Sequence, residues 1–489
     1  MRMTLKELEA ACGGKLLFGA EETEIRNISF DSRSMKGRDL FVPVIGARTD
    51  GHDYMPGAFI NGAIAALSSR SYTEEGREAL AAQLRAICPE AGLISVDNTV
   101  EALQRIGRWY RKHKIFIPCI GITGSVGKTT TRAMTAAAVS AEKKVYSTKG
   151  NANSQLGVPV TVTETDPDAE AAVFELGMSE PGEMHRISET ACCDTAIITN
   201  IGVSHIANFG SSEGIMKEKL HILDGMPSGC RLFLNGDDPL LARQTEASIH
   251  AMGIAEGKTL KIVYYGTAKN AGCRAENISL DGSGFPSFDA VVPLDGREER
   301  VRLKLSVRGG HMILNALAAL AAAADIGVSP AAAAKALEAF TGLSGRGERV
   351  TAGGVTLLDD SYNAAPASMK AGLSVLKQTP CSGRRIAVLA DMLELGDEEA
   401  AMHLELGHWI SEQMDGLHAV YLYGENSRLI GQGMEEGHSS AETKYFSSHE
   451  ALTEALKEDI REGDAVLFKG SHSMGLSKVL EEVRRNLQS

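Results

Sequence analysis

The stretch "KIFIPCIGITGSVGKTTTRAM", residues 114–134, restricts the fold of this chain more than any other segment. An apolar run, a glycine-rich turn and then Lys-Thr-Thr opening an alanine-rich helix form the strand–loop–helix unit that holds polyphosphate. The strict pattern would place its first glycine at position 122, where the chain has Ile122. Gly124 instead stands three residues before Gly127, which gives the shortened form "TGSVGKTT". The physics survives this departure. Two glycines let backbone N–H groups turn inward, and the helix start adds its positive end. Lys128 supplies a point charge, and Thr129 can ligate Mg²⁺. The expected nucleotide contacts are Gly124, Ser125, Gly127, Lys128, Thr129 and Thr130. What the phosphate is used for cannot be read from the loop alone.

The flanking sequence extends this unit into an alternating pattern. Short apolar runs such as "KVYST", "AAVFELGM", "TAIITNIG" and "CRLFLN" alternate with helical stretches, the signature of a mostly parallel sheet covered by helices. Residues 270–307 break that rhythm and predict a β-hairpin insertion. A second α/β series lies upstream, and a third begins after "TGLSGRGERV". A chain of 489 residues is too long for one core. The expected fold class is α/β in three domains: a small N-terminal α/β domain over 1–97, a central P-loop domain with a mostly parallel sheet over 98–340, and a Rossmann-like α/β domain over 341–489. The helix "DNTVEALQRIGRWYRKHK" joins the first two, with Asp97 or Thr99 as its expected cap.

Composition narrows the function classes. A formal charge of −13 argues against a nucleic-acid partner, which requires a basic footprint. No apolar run is long enough for a membrane span. The beginning of the chain has no signal-peptide pattern, so a cytoplasmic location is expected. Eight scattered cysteines without a C-x-x-C spacing read as reduced small hydrophobes rather than a disulfide framework.

The remaining motifs, taken together, resemble the Mur ligases of bacterial cell-wall synthesis. "DSRSMKGRDLFVPVIGARTDGHDYMPGA" at 31–58 is similar to the family's uridine-nucleotide stretch, with Arg38 inserted between Gly37 and Asp39. "TKGNANSQLGVPVTVTE" at 148–164 has Asn153-Ser154 where the family has two asparagines. "FELGMSEPGEM" and "TNIGVSHIANFGS" supply Glu175 and His205. "GGHMILNALAALAA" matches a family helix start, with Met312 in place of an asparagine, and "LLDDSYNAAPASM" matches another segment, with Ala365 in place of an asparagine. "FKGSHSM" continues the likeness, with His472 where arginine is usual. The D-N-P-R string of the ligases that add a diamino acid is absent.

The resemblance implies ATP-dependent amide-bond formation through an acyl phosphate. The branch it points to joins D-alanyl-D-alanine to a UDP-N-acetylmuramoyl-tripeptide. A sister ligase adding one diamino acid and a P-loop kinase are the alternatives. It implies catalytic roles for Lys128, Glu175, His205 and Lys219. Thr129, Glu175, His205 and Lys219 would serve two Mg²⁺ ions. Lys219, rather than Lys217, would be carbamylated by CO₂. Asn315, Arg346 and Asp360 would contact ATP. Ser32, Arg33, Asn151, Asn153, Ser154, Tyr362 and Asn363 would contact the substrates. A monomer that closes about a hinge near 335–345 is the expected form.

Overall fold

The computed structural model describes residues 1–294 and 296–488. Three main sheets organise them. The first has strands in the order Lys15–Phe18, Gly92–Ser95, Ala63–Ser68, Asp39–Phe41 and Asn27–Ser29. Only the pairing of Lys15–Phe18 with Gly92–Ser95 is antiparallel.

The central sheet has nine strands. Seven run parallel and place Cys119–Thr123 between Ala171–Glu175 and Thr195–Ile198. The segment expected to be a hairpin is a three-stranded antiparallel meander, Cys273–Leu280, Pro286–Leu294 and Arg297–Lys304, that extends this sheet at one edge. The third sheet has six strands, parallel except where Glu348–Ala352 pairs with Val355–Asp359.

Both faces of the central sheet are covered, which explains why its strands read as continuous apolar runs. Along Cys119–Thr123, Cys119 packs into one core cluster while Ile120 and Ile122 pack into the other. The second cluster is roofed by the helix His311–Asp325. Its run of alanines brings it close to Met134 and Ala138 on the helix that follows the phosphate loop. The strongly helical composition of "NALAALAAAAD" therefore places a smooth helix against the one that receives the nucleotide.

The helix Thr99–Lys114 connects the first two sheets. Asn98 caps it, with Oδ1 accepting from the N–H groups of Val100 and Glu101 at 2.9 and 3.2 Å. Asp97, Asn98 and Thr99 can all cap a helix, and the backbone register decides in favour of the middle residue. The apolar cluster around this helix runs without a break from Met3 to Leu260, so the first two sheets share packing. Beyond the helix Pro330–Glu338, Gly342, Gly345 and Gly347 all have positive φ, at 102°, 71° and 76°. These conformations suit glycine where the chain crosses to the third sheet. All eight cysteines are free, five of them buried.

Candidate active site

The phosphate loop leaves the end of Cys119–Thr123 and enters the helix Lys128–Val139 at Gly127, which has φ 84°. A residue from the neighbouring strand end holds the loop in shape. Asn200 accepts from Ser125 N through its carbonyl at 3.0 Å and from Val126 N through Oδ1 at 2.9 Å, and its own amide donates to Val126 O at 2.8 Å. Thr199 Oγ1 also donates to Val126 O, at 2.7 Å. Gly124 lies so close to this strand that a β-carbon there would sit 1.8 Å from Thr199 Oγ1. The helix that follows has no side-chain cap, which leaves its first-turn N–H groups for an anion.

Lys128 folds back on this loop and donates to the carbonyls of Gly124 and Ser125 at 2.8 and 3.2 Å. Burial lowers its pKa, Glu175 opposes that shift, and Arg346 adds to it. Arg346 belongs to the third sheet's segment, so the chain beyond the hinge contributes to the field at the loop.

Glu175 is the point where the other expected groups meet. It ends Ala171–Glu175 and is 2% exposed. Oε1 accepts from Thr129 Oγ1 at 3.0 Å and from Asn153 Nδ2 at 2.8 Å. Oε2 lies 3.4 Å from Arg132 Nε, yet both atoms are buried without a hydrogen-bond partner. An orphaned carboxylate oxygen beside a threonine hydroxyl is an arrangement that suits a hard cation. Thr129 and Glu175 therefore fit Mg²⁺.

His205 has a left-handed backbone, φ 62°, and its Nδ1 lies 3.1 Å from Glu394 Oε2, which comes from beyond the third sheet's strand Arg385–Ala390. Burial lowers the pKa of His205, Glu394 opposes this, and Lys128 and Lys219 add to it. Lys219 lies on the helix Ser212–Leu220 and is buried, whereas Lys217 on the same helix is exposed. Burial, and then the charge of Lys128, pushes the Lys219 pKa well below the ordinary lysine range. The acidic neighbour Glu218 gives only partial compensation. Its two oxygens already accept from Gly182 N and Met184 N at 3.0 and 2.9 Å.

The third sheet adds a second polar group. The Arg346 guanidinium stacks 4.0 Å above the Tyr362 ring, and the His472 ring lies 5.2 Å from the same tyrosine. Asp360 pairs with Lys469 at 2.6 Å, and Lys469 is 2% exposed. Lys469 also donates to Asn363 O at 3.2 Å, while Asn363 Oδ1 accepts from Ala364 N. His311 opens its helix with its residue surface still exposed, and it lies in the field of this pair. Desolvation by the protein around its ring lowers its pKa, Asp360 opposes the shift, and Lys469 reinforces it.

Asn315 lies against the phosphate-loop helix, with Oδ1 accepting from Thr131 Oγ1 at 3.2 Å. Its amide donates to Met312 Sδ, a weak acceptor. Ser125 and Thr130 are buried in the loop region.

Ser32 and Arg33 belong to an exposed turn of the first sheet. Arg33 pairs there with Asp31 through two contacts of 2.9 Å, and the Ser32 carbonyl accepts from Asn61. Glu164 receives both Lys36 and Lys149, at 3.3 and 3.5 Å, and so links this turn's segment to the 148–164 loop. In that loop Asn153 N donates to Asn151 O, and Ser154 Oγ accepts from Gly157 N. Thus Thr129 and Asn153 both touch Glu175, and Lys128, His205 and Lys219 share one electrostatic environment. Ser32 and Arg33 make their contacts elsewhere. Reading the sequence missed Asn200, Arg132, Glu394 and Lys469. Asn200 and Lys469 lie within the motifs "TNIGVSHIANFGS" and "FKGSHSM" and Arg132 directly follows the phosphate loop, but nothing local marks which partner each of them meets.

Three Mur ligase family models match the chain: the family's catalytic domain over residues 24–110, the middle domain over 122–323, and the glutamate ligase domain over 345–472. The UDP-N-acetylmuramoyl-tripeptide–D-alanyl-D-alanine ligase of Bacillus subtilis is 34% identical over 95% of this chain and 94% of its own length. A crystal structure of MurF from Acinetobacter baumannii superposes with a TM-score of 0.84 at 26% identity, covering 99% of both chains. MurF from Thermotoga maritima in complex with ADP superposes with a TM-score of 0.77 at 25% identity, over 95% of this chain and 98% of that one.

Proposed function

Because the chain belongs to the Mur ligase family, we propose that it is the ligase that joins D-alanyl-D-alanine to a UDP-N-acetylmuramoyl-tripeptide at the expense of ATP. The observation that carries this reading is the buried Lys219, 3% exposed, placed in the field of the half-buried Lys128 that rests on the phosphate loop. Two ammonium groups that act on each other in a low dielectric are costly, and a phosphate site needs only one. A buried, neutral Lys219 amine is the form that reacts with CO₂, and as a carbamate it becomes an anion beside Lys128. That supports a site built for cations as well as phosphate, as an acyl-phosphate ligase requires.

The chemistry follows from the parts. A carboxylate does not react with an amine in water at a useful rate, because its leaving group would be oxide. The substrate carboxylate attacks the γ-phosphorus of ATP, ADP departs, and an acyl phosphate forms. The amine of the dipeptide then attacks the acyl carbon, a proton is lost, and phosphate leaves. Lys128 exchanges its loop carbonyls for phosphate oxygens, and the first-turn N–H groups orient the chain of phosphates. Thr129 and Glu175 would hold Mg²⁺, with His205 and Lys219 the candidates for a second ion. Bound there, the metal supplies charge neutralisation between two anions.

Arg346, Asp360 and Asn315 are assigned to ATP, and Asn151, Asn153 and Ser154 to the acyl substrate. Tyr362 and Asn363 are assigned to substrate at the third sheet, and Ser32 and Arg33 to the uridine nucleotide. In this reading residues 1–97 bind the UDP end, 98–340 bind ATP, and 341–489 deliver the dipeptide and close on the site. Closure would exclude water from the acyl phosphate.

The test is ADP release with UDP-N-acetylmuramoyl-tripeptide present and D-Ala-D-Ala, meso-diaminopimelate or L-Lys as the amine. ADP release that needs both the tripeptide and D-Ala-D-Ala is expected. Release driven by a single diamino acid on the dipeptide precursor would overturn the assignment.

A further inference from the structure

Away from the phosphate loop, two histidines converge on one carboxylate oxygen. His185 Nδ1 lies 2.7 Å and His221 Nδ1 2.8 Å from Asp224 Oδ2. A ligand atom of each of the three residues falls within 4.8 Å of the others. His185 comes from the helix Glu183–Ala191, while His221 and Asp224 lie on the turn that follows the Lys219 helix.

The framework holding these side chains is tightly tied. Ser188, one turn beyond His185, donates to Ile222 O and accepts from Gly225 N at 2.9 Å. Gly225 approaches the helix so closely that a β-carbon would sit 2.0 Å from Ser188 O. Lys258 donates to the carbonyls of Leu223, Asp224 and Met226, at 3.0, 2.6 and 2.8 Å, and so pins the turn from its other side. The three candidate ligands therefore stand on two segments whose relative position is already fixed, which removes much of the ordering cost of binding.

We propose that His185, His221 and Asp224 form a binding site for a divalent transition metal of the Zn²⁺ class. Two imidazoles are borderline donors that, together with one carboxylate, favour Zn²⁺, Co²⁺, Ni²⁺ or Cu²⁺ over Mg²⁺. This site therefore differs in chemistry from the oxygen pair of Thr129 and Glu175. Each imidazole would bind through Nδ1 and carry its proton on Nε2. The half-exposed His185 leaves the remaining coordination positions to solvent. Metal bound here clamps the turn that ends the Lys219 helix against the helix Glu183–Ala191.

The experiment uses the full-length protein with excess Mg²⁺ and ADP to fill the phosphate site, titrated with Co²⁺ and followed by its visible d–d absorption. One Co²⁺ per chain is expected, with affinity at least tenfold weaker in His185→Ala and in His221→Ala and unchanged in His113→Ala. His185 is half-exposed, so its variant reports on binding without disturbing a core. A matching readout is the melting temperature, which Zn²⁺ should raise in the parent protein and not in His185→Ala. Co²⁺ binding of equal affinity in parent and His185→Ala, or a parent protein that develops no d–d bands, would overturn the proposal.

Discussion

Thr129 on the first turn of the phosphate-loop helix donates to Glu175 at the end of the neighbouring strand, across 3.0 Å and 46 positions of sequence. That bond fixes the one carboxylate that also faces Arg132, with both charged groups almost fully buried. Replacing Glu175 with Gln keeps an acceptor for Thr129 but strands the Arg132 charge. Removing one member of a buried ion pair costs about 3–5 kcal/mol, far more than the loss of an exposed one. Glu175→Gln should therefore lose catalysis and also unfold at clearly lower urea. A variant that is inactive yet as stable as the parent would show that Arg132 has another counter-charge.

Lys128 rests on two loop carbonyls, so its removal leaves the loop's own hydrogen bonds to Asn200 in place. Lys128→Ala should abolish ADP formation while binding of the UDP-linked substrate, measured by calorimetry, stays within a few-fold. Equal loss of both would mean that the lysine holds the fold rather than the phosphate.

The parts of this site that could be read from sequence are those whose chemistry is consecutive. Gly124, Gly127, Lys128 and Thr129 lie within six residues, and a strand before them and a helix after them fix their geometry. The bonds that complete the site join distant segments. Asn200 reaches Val126 across 74 positions, and Lys469 reaches Asp360 across 109. Parallel strands bring such residues together only once the sheet order is set, and a sheet order with a crossover is not a local property. The same reasoning covers Glu394. Nothing in "LADMLELG" signals that its carboxylate meets His205 from another sheet. The meander at the edge of the central sheet was legible as a break in rhythm, but its pairing along the existing strands was not.

Lys219 and Lys217 lie two residues apart on one helix, so they face different environments. Burial and the nearby Lys128 charge depress the Lys219 pKa, which keeps its amine available to CO₂. Lys219→Ala should cut kcat by roughly a hundredfold, a loss typical of removing a group that stabilises charge at the reacting atoms. Added small carboxylates should restore part of it. Lys217→Ala should match the parent. Rescue of Lys217→Ala in place of Lys219→Ala would reverse the assignment.

Gly124 is constrained twice, by φ of 150° and by Thr199. The Thr199 hydroxyl is committed to Val126 O and cannot rotate away without losing that bond. Backbone strain of about 1–3 kcal/mol and overpacking of similar size should add in Gly124→Ala. The second contribution should be partly relieved in the double variant Gly124→Ala with Thr199→Ala, which removes the hydroxyl but keeps the Cβ and N positions of Thr199 at 3.0 and 3.1 Å, and the first should remain. Urea midpoints of the two variants separate them. An unchanged midpoint in Gly124→Ala would mean that the loop accepts a side chain there.

A pH-dependent element lies far from the loop, where Asp459 receives Tyr421, Arg384 and Lys444. Burial alone would raise its pKa, but these hydrogen bonds outweigh that and hold it at about 2, below the ordinary 3.8. The folded state thus binds the proton less readily than the unfolded chain. The stabilisation is complete above the unfolded value and is lost as pH falls from there toward the folded one. The carboxylate is partly open to solvent, which screens the pair and reduces its contribution to about 1 kcal/mol. Asp459→Asn should therefore be less stable than the parent near neutral pH, and the difference in urea midpoint should shrink as pH drops below about 4. A difference that stays constant across that window would place the effect in packing rather than in charge.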